Sequence, residues 1–237
     1  QAMCERGIDQ TSVALVGCWW IAILPGGHTL TWVSREPIAS HPTRQVLAIG
    51  PVRFFLLARF ATLFGRALIS AMLSYHLFVV TDSYAILGVL GLVEFLPVIP
   101  VSLFAGVMAD RVDRRRLLLG AALAGCVGCA ALTWVAWYHP GSAMALLLVA
   151  FFLAIIVGIS RPAGSALLPN LVPQKIFQNA AVLESCVSQM ALITGPVAMG
   201  FLVARLGLVA PYAMATVFYL AAIVALLLLR SPTVSGE

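Results

Sequence analysis

The chain has 237 residues, 62% hydrophobic and 10% charged, with a formal net charge of +5 and a mean hydropathy of +1.02. Ordinary soluble chains are about half apolar and about a quarter charged, and a soluble surface must be polar, so this composition excludes a water-soluble globule and calls for a bilayer. The positive balance does not point to nucleic acid, because the arginines fall in short clusters between apolar stretches, the pattern that sets membrane topology.

Residues 1–50 lack a clear fold signal. Val13–Leu24 is apolar but stops at Pro25, short of the roughly 20 residues a helical span needs. It reads as an interfacial segment, a partial span or an upstream stretch without a role. No cleavable signal peptide is expected, and the opening Gln1 in place of Met suggests a start further upstream.

Six apolar segments come next, at 54–80, 84–109, 117–137, 143–159, 181–204 and 210–229. They do not alternate polar and apolar residues as barrel strands do, so helices are the spanning element. The expectation is an all-α polytopic bundle over residues 51–230, with 231–237 opening a cytoplasmic linker or tail. The connections at 81–83 and 139–142 carry no Lys or Arg, whereas 110–116 holds four arginines and 161–179 holds Arg161 and Lys175. This alternation is expected to put both termini in the cytoplasm, and the expected location is the inner or plasma membrane. Arg205, near the outer end of the fifth span, is the exception. The 161–179 connection contains Pro162, Pro169 and Pro173, with Leu167, Leu168, Leu171 and Val172 on an apolar side. It is expected to form short helical pieces along the inner membrane surface.

Charges inside apolar spans are expensive and read first as functional. Arg66 lies about midway along the first span and Glu94 about midway along the second, which runs the other way. At about 1.5 Å per residue their depths differ by roughly 6 Å, within reach of two long side chains. Two readings stay open: a coupling pair at a cavity wall, in which Glu94 changes protonation, and a permanent ion pair pinning two helices. Arg59 is expected to snorkel to the interface, and Glu184 to cap the fifth span near the cytoplasm. His76 is either a titrating group or an interfacial side chain. Gln189 and Thr194 either contact a substrate or bond between helices. Cys126 and Cys129 share a CxxC spacing but sit among Gly125, Gly128 and Ala130, where small residues serve helix packing. No metal site, cofactor or nucleotide-binding loop is expected, and no nucleophile–base pair marks an enzyme.

The stretch Gly106–Arg116 (GVMADRVDRRR) joins the second and third spans. Gly106 allows close helix approach, and Asp110 lies one turn on along the same face. By itself this is also a basic loop that sets topology. Its GxxxDRxxRR pattern, carried by Gly106, Asp110, Arg111, Arg114 and Arg115, resembles the signature loop of the major facilitator superfamily, with Asp113 standing where that pattern has Gly. Further stretches resemble the drug- and siderophore-exporter branch, enterobactin-exporter-like, in the same order: Arg53 with Phe64–Arg66, Gly91–Pro97, Arg161 with Leu167–Pro173, and Gln189–Gly200. Gly195, Pro196 and Gly200 are similar to the antiporter motif, with Met199 departing from it. Apart from the family, Pro196 frees a carbonyl, and Gly195 and Gly200 are expected to admit another helix.

The resemblance implies the amino-terminal half of such a transporter, two inverted three-helix repeats. A faint echo between Gly106-Asp110-Arg111 and Gly200-Ala204-Arg205 fits that inversion. It further implies proton-coupled efflux of small amphipathic molecules or siderophores by alternating access. The implied partners are membrane lipids, a small-molecule substrate, protons, and a second six-helix half or a second copy. A truncated, non-transporting scaffold is the alternative.

Overall fold

A computed structural model of the chain describes residues 50–102 and 114–229. The segment at 1–49, the loop residues Gly106, Asp110, Arg111 and Asp113, and the expected linker at 231–237 lie outside the described residues.

Among the described residues six helices are long and apolar enough to cross a membrane. Helix α1 spans Gly50–Thr81, opening with Pro51 in its first turn, where a missing N–H is harmless. Asp82 ends it, at φ 46°, a left-handed geometry that Asp tolerates better than most residues. Helix α2 spans Tyr84–Phe95, breaks at Leu96–Pro97 and resumes to Ser102. The sequence suggested one unbroken span here, but Pro97 has no N–H for the ladder. Helix α3 is Arg114–Tyr138, α4 Ala143–Leu171, α5 Phe177–Leu206 and α6 Ala210–Leu228. Gly207, at φ 82°, turns the chain between α5 and α6.

The connection after Ile159 corrects the sequence reading. Helix α4 continues through Pro162 and Pro169 to Leu171, and only a 3-10 turn at Gln174–Ile176 separates it from α5. Leu167, Leu168 and Leu171 belong to the continuous helix, with Val172 just beyond it. They are buried against Val52, Phe55 and Leu56 of α1, Ala180 of α5 and Leu229. Burying four such side chains contributes about 1.5–3 kcal/mol each, enough to offset two helix prolines at about 3 kcal/mol each.

Helix α1 is the hub. It packs on α2, α4, α5 and α6, while α3 packs on α4 and α6. The main core gathers Leu68, Met72 and Leu77 of α1 with Leu132, Leu146 and Tyr212. Two helices stay largely outside it: 11% of the α2 span and 17% of the α5 span are buried, against 44% for α1 and α6. Their outward side chains are large and apolar, including Val89, Leu92 and Ile99 of α2 and Met190, Ile193 and Phe201 of α5.

Candidate functional site

Two of the cavities among the described residues have walls built on α1. The first, about 250 Å³, lies toward the end of the bundle where α1 and α3 begin. Arg59, Thr62 and Arg66 of α1, Ser160 of α4 and Ser188 of α5 give it polar groups within an apolar wall. The second, about 490 Å³, is lined by Arg66 and Ser70 of α1, Glu94 and Phe95 of α2, Leu153 and Ala154 of α4 and Pro196 of α5.

Arg66 and Glu94 therefore reach one cavity wall, as their depths in the sequence suggested. Ser70 lies four residues after Arg66, one turn on along the same face. Its hydroxyl donates to Glu94, at 3.2 Å to Oε2 and 3.4 Å to Oε1. Glu94 is half-buried. The carboxylate is thus tethered to α1 but still faces the cavity. Ser70 escaped the sequence reading, although its spacing from Arg66 was the signal for it.

Arg59 and Glu184 revise a second expectation. Arg59 does not snorkel outward, and Glu184 makes no helix cap. Arg59 Nε lies 3.0 Å from Glu184 Oε1, each side chain 22% exposed. Ser188 donates to the same oxygen at 3.1 Å. Close packing of α1 on α5 brings the two charges together, and pairing them costs less than solvating either alone in hydrocarbon.

His76 lines neither cavity. It is fully buried, with Nε2 3.0 Å from the Pro140 carbonyl and Nδ1 3.2 Å from the Tyr212 hydroxyl. A carbonyl only accepts, so Nε2 donates to Pro140, which leaves Nδ1 to the Tyr212 hydroxyl. Gln189 is exposed on α5; the α5 side chains at the cavities are Ser188, Leu192 and Pro196. Thr194 bonds back to the Met190 carbonyl of its own helix at 2.6 Å.

Of the signature loop, Arg115 is described with its side chain. It donates from Nε to the Leu226 carbonyl at 3.1 Å and from Nη2 to the Leu227 carbonyl at 3.0 Å. The last carbonyls of a helix have no partner in their own helix, and a cation there also suits the helix dipole. Arg115 thus ties the start of α3 to the end of α6. Arg116 is exposed beside it, and Arg114 opens α3.

In α5, Gly195 is buried against α1. A methyl there would sit 2.7 Å from Ala67 Cβ and 3.0 Å from the Leu68 nitrogen. Gly200 instead faces open space, so only the first of the two glycines admits a neighbour among the described residues. Pro196 lies within the continuous helix and lines the second cavity. Cys129 is fully buried in the main core and Cys126 packs against it. Arg205 is exposed and lies 5.6 Å from the Phe201 ring centroid, which gives the exceptional cation a local partner.

Residues 55–237 match the family model described as Major Facilitator Superfamily. The chain is 27% identical over 135 residues to a protein named Macrolide efflux protein A from Streptococcus pyogenes, covering 57% of this chain and 33% of the relative. It is 29% identical over 107 residues to a protein of the same name from Enterococcus faecalis, covering 45% of this chain and 33% of the relative. The matched part thus spans about a third of the length of these relatives.

Proposed function

The chain belongs to the major facilitator superfamily, a family of transporters and not of enzymes, and from that premise we propose that it supplies the amino-terminal six-helix half of a proton-linked efflux transporter. The observation that carries the proposal is Glu94, a half-buried carboxylate within a membrane span, tethered by Ser70 and facing a cavity that Arg66 also lines. An intramembrane acid at a cavity is a functional group by default. A carboxyl group that faces a cavity is placed to take up and release a proton as that cavity opens and closes. The cavities are mostly apolar with a few polar groups, which suits amphipathic small molecules. The names of the relatives favour macrolide-type molecules over the siderophores that the loop resemblance also raised.

In this reading residues 51–230 are the transporter half and 231–237 begin a cytoplasmic linker to the second half. The arginine-rich ends face the cytoplasm, in the inner or plasma membrane. The outward apolar faces of α2 and α5 lie against lipid or a second six-helix half, and alternating access comes from one half rocking against the other.

The test is dye efflux from everted vesicles of cells expressing the full-length protein. Glu94→Gln keeps the shape and removes the titration. Proton-driven efflux is expected to fall by tenfold or more, with the amount and melting temperature of membrane-inserted protein unchanged. Efflux at the wild-type rate by this variant sinks the coupling role. Absence of efflux by the wild type, against a panel that includes macrolides, favours the non-transporting scaffold.

A further inference from the structure

The two cavities share four lining residues: Arg66 from α1, Val157 from α4, Leu192 from α5 and Tyr219 from α6. One side chain from each of four helices therefore forms a waist between the chamber holding Glu94 and the chamber holding the Arg59–Glu184 pair. Tyr219 is the most firmly placed of the four. Its ring is wedged between two glycines on different helices. A methyl at Gly65 of α1 would meet the ring carbons Cε2 and Cδ2 at 3.1 and 3.2 Å, and one at Gly125 of α3 would overlap its other edge at Cε1. Tyr has only two side-chain torsions, and here both ring edges are held, so the ring cannot swing aside. Val157 and Leu192 are smaller, and Arg66 carries its charge on a flexible stem.

We infer that Tyr219 is the specificity-determining residue of this half, a rigid partition that limits how far a molecule seated beside Glu94 extends toward the Arg59–Glu184 chamber. The inference rests on the transport reading above and adds the length of the substrate to it. The Glu94 chamber takes the charged end of an amphipathic cation, its charge near the carboxylate and the adjoining apolar part against Phe95, Leu153 and Ala154. A molecule with a long apolar tail needs the second chamber, and the ring stands across the way. Removing the ring joins chambers of about 490 and 250 Å³.

The probes are methyltriphenylphosphonium and dodecyltriphenylphosphonium, which share a permanent charge and differ in tail length. Binding of each to the purified full-length protein is measured for wild type and Tyr219→Ala in one detergent, so that partition into micelles cancels in the comparison. Apolar pockets discriminate about 10–200-fold per methylene-sized difference. The ratio of long-tail to short-tail affinity is therefore expected to rise by about tenfold or more in Tyr219→Ala. Tyr219→Leu, which keeps part of the wedge, is expected to show a smaller rise and serves if the alanine variant does not fold. Leu132→Ala, which empties a fully buried core site away from both linings, is expected to leave the ratio alone. An unchanged ratio in the Tyr219 variants, or an equal rise in Leu132→Ala, overturns the partition. Binding of neither cation by any variant overturns it as well. Efflux of the same cations from vesicles is scored separately: binding with the expected ratio but no efflux counts against transport and leaves the partition standing.

Discussion

His76 and Glu94 are both titratable side chains set within apolar helices, and the bundle treats them in opposite ways. His76 is fully buried near the end of α1, and both ring nitrogens are bonded, to Pro140 and to Tyr212. Glu94 is bonded by Ser70 and still lines a cavity. In one place three chain segments close around a polar group; in the other, two helices hold a polar group at an opening. An intramembrane polar residue is therefore classed less by its type than by whether its remaining contact is with protein or with space. The first kind fixes helix positions, and the second is available to a ligand or a proton.

Crossed substitutions test that division. His76→Ala removes two hydrogen bonds, opens a cavity and leaves the Tyr212 hydroxyl without its partner, which together costs about 2–4 kcal/mol. It should lower the melting temperature sharply while transport per folded molecule stays near wild type. Glu94→Gln should do the reverse, and the division breaks if both variants lose the same property. Gly195→Ala, which drives a methyl into Ala67 and Leu68, is expected to destabilise by about 1–3 kcal/mol through overpacking. Gly200→Ala faces open space and is expected to be neutral or to stabilise by up to about 1 kcal/mol, the Gly-to-Ala helix preference. Thermal melts of the pair separate packing from helix propensity at two glycines of one motif. Arg115→Ala, which frees the last α6 carbonyls, is expected to cost about 1–2 kcal/mol. Arg115→Lys should recover part of that, since an ammonium keeps the charge but not the two-pronged geometry.

The spans were legible because hydrocarbon demands long apolar runs, and the observed α3 and α6 match their expected limits within a few residues. Proline misled in both directions. Pro97 breaks a span that looked continuous, and Pro162 and Pro169 sit inside a helix that looked finished. At Pro97 the missing N–H decides; at Pro162 and Pro169 tertiary packing does, and a single sequence does not display it. Depth was legible from rise per residue, which put Arg66 and Glu94 within roughly 6 Å of each other. Rotation about the helix axis was not. The pairing of Arg59 with Glu184, the burial of His76 and the place of Tyr219 at both cavities all depend on which way each helix turns. Gly65 and Gly125 were a visible hint that some ring or backbone comes close. Nothing in the sequence pointed from them to Tyr219.

The hub position of α1 also has a consequence for biosynthesis. Arg59 precedes its partner Glu184 by 125 residues, and at about 5–20 residues per second a ribosome needs roughly 6–25 seconds to cover that distance. Throughout that interval α1 is in or near the membrane with a charged side chain whose partner has not yet been made. The insertion machinery, lipid headgroups or water must accommodate it until α5 arrives. Among the described helices, the one that enters the bilayer first is among the last to be satisfied there.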